Sequence, residues 1–411
     1  MRITTKPNLL VLVNQWPEPT STAAGQHLIQ VLESLIPIAN SIVIGHTADK
    51  TDRSYVFDSN AITSRRIFIN DSEFDSFLID FAPQIVLFDR FTLEEQFGWR
   101  VSECCPDAMR ILNTEDLHGL RAAREEALIN NIDWRDCVLS NPTLLRELAS
   151  LYRSDLTLVI SEFEIDFLKG LGVPSRLICY VPFGLETANL NASRNLKTFK
   201  ERKDLIFIGN FLHKPNVDAI NFFVDNLWPG IRSVLSDVQC HIYGAYGSKL
   251  NQPNSTKDII WHGAIDSTEA VLNQSKVNLV PLRFGAGLKG KVLEAMFHGT
   301  PSVISEIGSE GVFGTIKSEP LKASNWDDFV DKVILLYRHE KQWKLAQEIG
   351  FEVVRTRFDK SVVFKDFIEH MSQVYDNLES HRKLNVIGAM LQRNEHQSTK
   401  YMAKWIEEKN R

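Results

Sequence analysis

Residues 283–310, RFGAGLKGKVLEAMFHGTPSVISEIGSE, constrain this chain more than any other stretch. They follow a short apolar run, residues 277–281, that reads as a buried strand. Gly285, Gly287 and Gly290 are then interspersed with Arg283, Lys289 and Lys291. Val292, Leu293, Ala295 and Met296 form the apolar side of a short helix. Gly299 stands where that helix would be capped, and residues 301–304 read as the next strand. Strand, glycine loop, helix start and strand is the order in which an α/β sheet holds a phosphate. Glycines let backbone amides approach the anion, and the helix dipole and the lysine charges attract it. No Ser or Thr follows the lysine, as a Walker A loop requires, and there is no G-x-G-x-x-G with an acidic partner. Kinase-type and dehydrogenase-type readings are therefore weak.

At 411 residues the chain predicts two domains rather than one. A net charge of −6 gives no basis for general nucleic-acid binding. The apolar run near the N-terminus is too short for a membrane span and reads as a first strand rather than a signal peptide. Five cysteines without C-x-x-C spacing fit a reducing, cytoplasmic setting and give no metal site.

Further apolar runs at 8–13, 41–45, 84–88, 109–112, 155–160 and 176–181 read as buried parallel strands of a first α/β domain. In an open α/β sheet, loops at the carboxyl ends of strands line the ligand crevice. This makes Gly25 and Gln26, the Asp89-Arg90-Phe91 turn, and the polar cluster Glu115, Asp116, His118 and Arg121 cleft candidates. Residues 120–151 read as helical. Ser161 and Glu164 have the spacing of a capping box, a structural assignment. The polar stretch 186–203 reads as a linker, placing domains at 1–185 and 204–371. The second domain opens with strand 204–208 and a turn carrying Gly209, Asn210, His213 and Lys214. Later, His262 and Gly263 end another short strand. Residues 372–411 read as a helical tail that packs on the body, a partner or a membrane surface, its mixed charge opposing strong membrane binding.

The elements Gly285 to Met296, Gly299-Thr300-Pro301-Ser302-Val303 and Gly308-Ser309-Glu310-Gly311 resemble the donor loop of family 4 retaining glycosyltransferases. That family has the GT-B architecture, two Rossmann-like domains facing a cleft. The resemblance implies transfer of a sugar from a nucleotide-diphosphate sugar to an acceptor, a glycan or a lipid-linked molecule. The enzyme would be cytoplasmic, with at most peripheral contact at the inner membrane face. It implies roles for Lys289, Arg283 and the amides of Gly285, Ala286, Gly287 and Leu288 at the donor diphosphate, with Gly25 opposite. His118 would contact the transferred sugar, Glu294 would hold the ribose, and His262 and Gly263 would lie beside the base. Most relatives carry a second glutamate eight positions before Glu294, where this chain has Ala286, and Phe183 replaces the Asn of a Pro-Asn-Gly turn. With no Asp-x-Asp pair, no metal requirement and no cofactor are expected. A sugar-nucleotide epimerase and a non-catalytic sugar-nucleotide- or glycan-binding protein are the alternative readings.

Overall fold

The structure, a computed structural model, describes residues 6–19, 22–188, 190, 196–247 and 258–410. Residues 20–21 of the first cleft loop, and 189 and 191–195 of the linker, thus lie outside the described residues.

Two parallel sheets organise the chain. The first contains β1 (Asn8–Val13), β2 (Ser41–His46), β3 (Ile62–Arg66), β4 (Ile85–Asp89), β5 (Met109–Asn113), β6 (Leu156–Val159) and β7 (Ile178–Tyr180), in the order β3-β2-β1-β4-β5-β6-β7. The second contains β8 (Lys203–Ile208), β9 (Cys240–Tyr243), β10 (Ile259–Gly263), β11 (Ser275–Val280) and β12 (Ser302–Ile304), in the order β10-β9-β8-β11-β12. In β1, Leu9, Val11 and Val13 enter one core layer while Leu10 and Leu12 enter the opposite one. Both faces are covered, which is why the strand shows no alternation in sequence. β3, with the sequence ITSRR, escapes a sequence reading because it is an edge strand carrying charge. The region 120–151 is three helices rather than one: His118–Asn130, Trp134–Val138 and Pro142–Arg153. Asn131 ends the first in the left-handed conformation, and the Asn141 side chain caps the third.

Each sheet has one switch point in its strand order, between β1 and β4 and between β8 and β11. Loops leaving such a pair diverge and open a crevice at the strands' carboxyl ends. The two crevices meet. A Cβ added to Gly290 would lie 3.4 Å from that of Ala23, and one on Gly287 would lie 2.8 Å from the Asp116 Cβ.

The chain returns to the first domain near its end. Leu185 N donates to Phe358 O and Lys360 N donates to Leu185 O. The helix Lys360–Asp376 then places Val363, Phe364, Phe367, Met371 and Val374 in the core with Leu9, Ile42, Ile85 and Leu156. The last helix, Val386–Asn410, lies against the helices Phe91–Cys104 and Pro142–Arg153. Gly388 makes that approach feasible, since a Cβ there would be 2.1 Å from Tyr152 O. Arg382 binds the Asp155 carboxylate and the carbonyls of Pro106 and Ala108, and Arg100 pairs with Asp75 and Glu407. The contacts of Arg382 gather at the amino ends of β5 and β6, away from the crevice. Val386, Ile387, Met390, Tyr401, Met402 and Trp405 stay exposed on the outer face. Among the described residues no helix is long and apolar enough to cross a membrane.

Phe367 is fully buried in the first domain's core although it is distant in sequence. Phe367→Ala is expected to cost about 3–5 kcal/mol in denaturant unfolding. A cost below about 1 kcal/mol, the range of a surface change, would show that this helix is not part of that core.

Candidate functional site at the seam of the two sheets

The turn after β5 forms one wall. Its helix begins at His118, and the preceding Leu117 offers no side-chain cap. Two carboxylates from other helices replace it. Glu147 accepts from His118 N at 2.7 Å and Gly119 N at 2.6 Å, and Glu164 Oε1 accepts from Leu117 N at 2.9 Å. Burial pushes Glu147 up to about 8 and Glu164 up to about 7, against the pull of these amides. The His118 ring stands edge-on to Phe91, with Nε2 3.4 Å from Asp116 Oδ1. Burial, aided by the Arg121 and Arg90 charges, outweighs Asp116 and lowers His118 to about 4, leaving a neutral imidazole at neutral pH. Burial would raise Asp116, but its ion pair with Arg121, then His118 and His213, holds it well below the usual carboxylate range.

The glycine loop after β11 forms the other wall. Gly287, at a φ of +68°, has no room for a side chain, because the Asp116 turn lies directly against it. Its amide donates to Glu164 Oε1 at 2.8 Å, so one carboxylate oxygen joins the two domains. Arg124 reaches across to Gly285 O at 2.7 Å and forms a bidentate pair with Glu310 at 2.9 and 2.7 Å. The ammonium of Lys289, a residue only 7% exposed, donates to Gly287 O at 2.7 Å. Burial lowers Lys289, opposed by Glu310, Glu164 and Asp116. Lys291 has a neutral partner, Asn216 Oδ1 at 2.6 Å, and lies 5.0 Å from the centre of the Phe207 ring. Burial, with the Lys289 charge beside it, lowers Lys291 to about 7. Asn216 Nδ2 also donates to Asn210 O, tying this lysine to the turn after β8. His213 stands in the field of Arg121, Asp116, Lys291 and Lys289, and desolvation with the three cations lowers it.

The remaining sequence candidates are distributed unevenly. Ala286 packs toward the first domain's core, and Leu288 is buried in the second's. Gly209 passes so close to Gly244 that a Cβ on the latter would be 1.7 Å from Gly209 O. Asn210 Oδ1 accepts from Leu212 N. Glu294 is raised by burial against a hydrogen bond to Thr268. His262 stacks on Tyr243 at 4.4 Å and shares a 2.8 Å contact with His241, and Gly263 has a φ of +79°. Gly25 N donates to Thr22 Oγ1 at 3.0 Å, so this amide already serves the start of the Ala23–Leu35 helix.

Three readings are corrected. Arg283 does not join the lysines: its guanidinium pairs with Asp218 and lies over Phe222, in an outer groove of about 400 Å³ shared with Lys214 and Glu125. Lys214 is spent on an exposed pair with Glu125. The capping box is absent: Ser161 Oγ has no hydrogen-bond partner, and Glu164 turns inward to the seam. Sequence reasoning also missed Arg124 and Glu147, whose places at the seam exist only after folding. A second buried layer, His27, Asp89, Asn113 and Glu115, backs the His118 turn. There the Glu115 charge raises His27 although burial opposes it. No group of three or more residues suited to hold a metal ion occurs among the described residues.

Residues 202–339, within the second domain, match a family model described as Glycosyl transferases group 1. An uncharacterised 44.6 kDa protein in the cps region of Klebsiella pneumoniae is 24% identical over 228 residues, 52% of this chain and 55% of that protein. The match thus spans only about half of that curated relative. Among solved structures the chain is similar to sucrose-phosphate synthase from Thermosynechococcus elongatus, with a TM-score of 0.67 and 14% identity over 91% of this chain and 99% of that one. A glycosyltransferase from Rickettsia africae gives a TM-score of 0.66 and 12% identity over 91% and 100% of the two chains. Anabaena HepE, solved in complex with UDP and glucose, gives 0.64 and 12% over 89% and 99%. Together with the two parallel sheets, these likenesses establish the GT-B fold.

In NMR of selectively labelled lysines, Lys291 is expected to titrate near pH 7, far below an ordinary lysine at about 10.4. An ordinary titration would mean that the ammonium is solvated and that the loop stands open.

Proposed function

We propose that this protein is a glycosyltransferase that takes a sugar from a nucleotide-diphosphate donor. The observation that carries the reading is a pair of neighbouring lysines: Lys289, buried on a backbone carbonyl, and Lys291, half-buried and held by a neutral amide. Buried charge without a counter-charge is costly. An anion placed at the loop would relieve it, and a diphosphate fits the loop amides, the two lysines and the start of the Gly290–Phe297 helix. The match of residues 202–339 to the glycosyltransferase family model supports the same reading.

In the reaction the bond between the anomeric carbon and the diphosphate oxygen breaks, and the diphosphate leaves with the electron pair. Lys289 and Lys291 stabilise that charge in a site of low dielectric. His118, uncharged, offers a hydrogen bond to the sugar without repelling the positive anomeric centre. The acceptor hydroxyl, of a glycan or lipid-linked molecule, enters from the first domain's side and gives its proton to the departing diphosphate oxygen as it bonds the anomeric carbon. Retention of configuration belongs to the proposal on the family resemblance. So does independence from divalent metal, with the lysines serving where an ion would otherwise stand. The loop and the Asp116 turn touch, so donor entry requires the seam to part about the segments near Leu185 and Asp359.

Thermal unfolding with UDP, GDP and ADP, with EDTA and then with magnesium, tests the reading. One nucleotide at a hundredfold over its dissociation constant should add about 2.7 kcal/mol of stability without metal. Lys289→Ala should abolish that gain and the transfer of sugar while leaving the melting temperature of the free protein in place. Unchanged binding and turnover would remove the diphosphate assignment. The pH dependence has a definite sign. A bound anion raises the Lys291 pKa, so affinity is full below about pH 7 and falls as pH climbs above it. Lys291→Met should bind more weakly and lose that slope.

A further inference from the structure

The carboxylate of Glu164 does more than the fold requires. It lies in the first turn of the helix Glu162–Gly170, where a bond back to the backbone of Ser161 was available. Instead it turns into the seam, and Ser161 Oγ is left without a partner. Oε1 is fully used, taking Leu117 N and Gly287 N, one from each domain. Oε2 is enclosed, in a residue 1% exposed, and has no hydrogen-bond partner. A buried carboxylate oxygen left unsatisfied is costly, and such an exception calls for an explanation in function.

Its position says what would use it. The two amides that fix Oε1 belong to the residue before His118 and to the loop two positions before Lys289. The charged groups that face it are Asp116, Lys289 and Glu147. Glu164 thus stands beside the glycine loop, between the His118 turn and Lys289. With the diphosphate at the loop lysines and the sugar at His118, as in the proposed function, its second oxygen lies between the two. Position 286, next to Gly287, is Ala, so the loop brings no carboxylate of its own there.

Resting on the glycosyltransferase reading, we propose that Glu164 supplies, from the first domain, the acceptor that binds a hydroxyl of the donor's sugar. The seam then has to be closed for the sugar to be recognised, whereas the diphosphate needs only the second domain's loop. Glu164 is a specificity residue for the sugar and does not take part in bond breaking.

Glu164→Gln is the informative change. Its carbonyl can still accept from Leu117 N and Gly287 N, while Oε2 alone is converted from acceptor to donor. The carboxyl already tolerates a proton near neutral pH, so the variant should melt within a few degrees of the parent. The measurement is calorimetric affinity for UDP and UDP-glucose, GDP and GDP-mannose, and ADP and ADP-glucose. For the pair that the parent binds, Glu164→Gln should leave the free nucleotide within about twofold and weaken the nucleotide sugar roughly 10- to 100-fold. Glu164→Asp, with its shorter side chain, should lose the same discrimination. Equal affinities in parent and variant would overturn the proposal while leaving the glycosyltransferase reading intact. Equal losses for nucleotide and nucleotide sugar would show that Glu164 is only a strap between domains. A parent that binds none of the nucleotides would sink both this proposal and the reading beneath it.

Discussion

A single carboxylate oxygen accepts one amide from each of the two domains, and the seam is built outward from that contact. Around it lie further charges withdrawn from water: Glu147 on the start of a helix, Arg124 against Glu310, and Lys289 on a carbonyl. Ile160 and Phe183 add apolar contact with the second domain's core. An interface meant never to open would use more of the latter, because ion pairs repay their desolvation poorly. Charges cost far less when the seam parts and water returns. The composition of this seam therefore suits two bodies that separate and rejoin.

The same burial moves the titrating groups toward one another. Carboxylates at positions 147 and 164 rise to about 8 and 7, and the ammonium at 291 falls to about 7. Their protonation equilibria thus lie nearer to neutrality than those of solvated groups of the same kind.

What could be read beforehand depended on local pattern. Strands covered on both faces announce themselves as unbroken apolar runs, and the loop after β11 is legible because glycine, lysine and a helix start must be contiguous there. The place of the Asp116–His118 turn at the seam was legible because loops at the carboxyl ends of buried strands line the crevice. Glu164 was misread because its spacing from Ser161 matches a capping box, and only the approach of Gly287 gives the carboxylate another partner. Arg283 looked like part of the loop's charge until Asp218, distant in sequence, claimed it. Arg124 and Glu147 sit in a region whose pattern says helix and nothing more. β3 had neither apolar run nor alternation to reveal it.

The return of the chain bears on how the protein is made. Apart from a few residues at the seam, the second domain's core comes from one continuous stretch, 205–358. The first domain's does not: one face of its sheet is covered partly by Leu28, Val31, Leu32 and Leu35 and partly by Val363, Phe364, Phe367, Met371 and Val374. During synthesis all seven strands emerge early, yet part of that face stays uncovered until the helix Lys360–Asp376 has left the ribosome. The later-made domain can close its core first, and the earlier-made one waits with apolar surface exposed, the period in which such chains aggregate or need a chaperone.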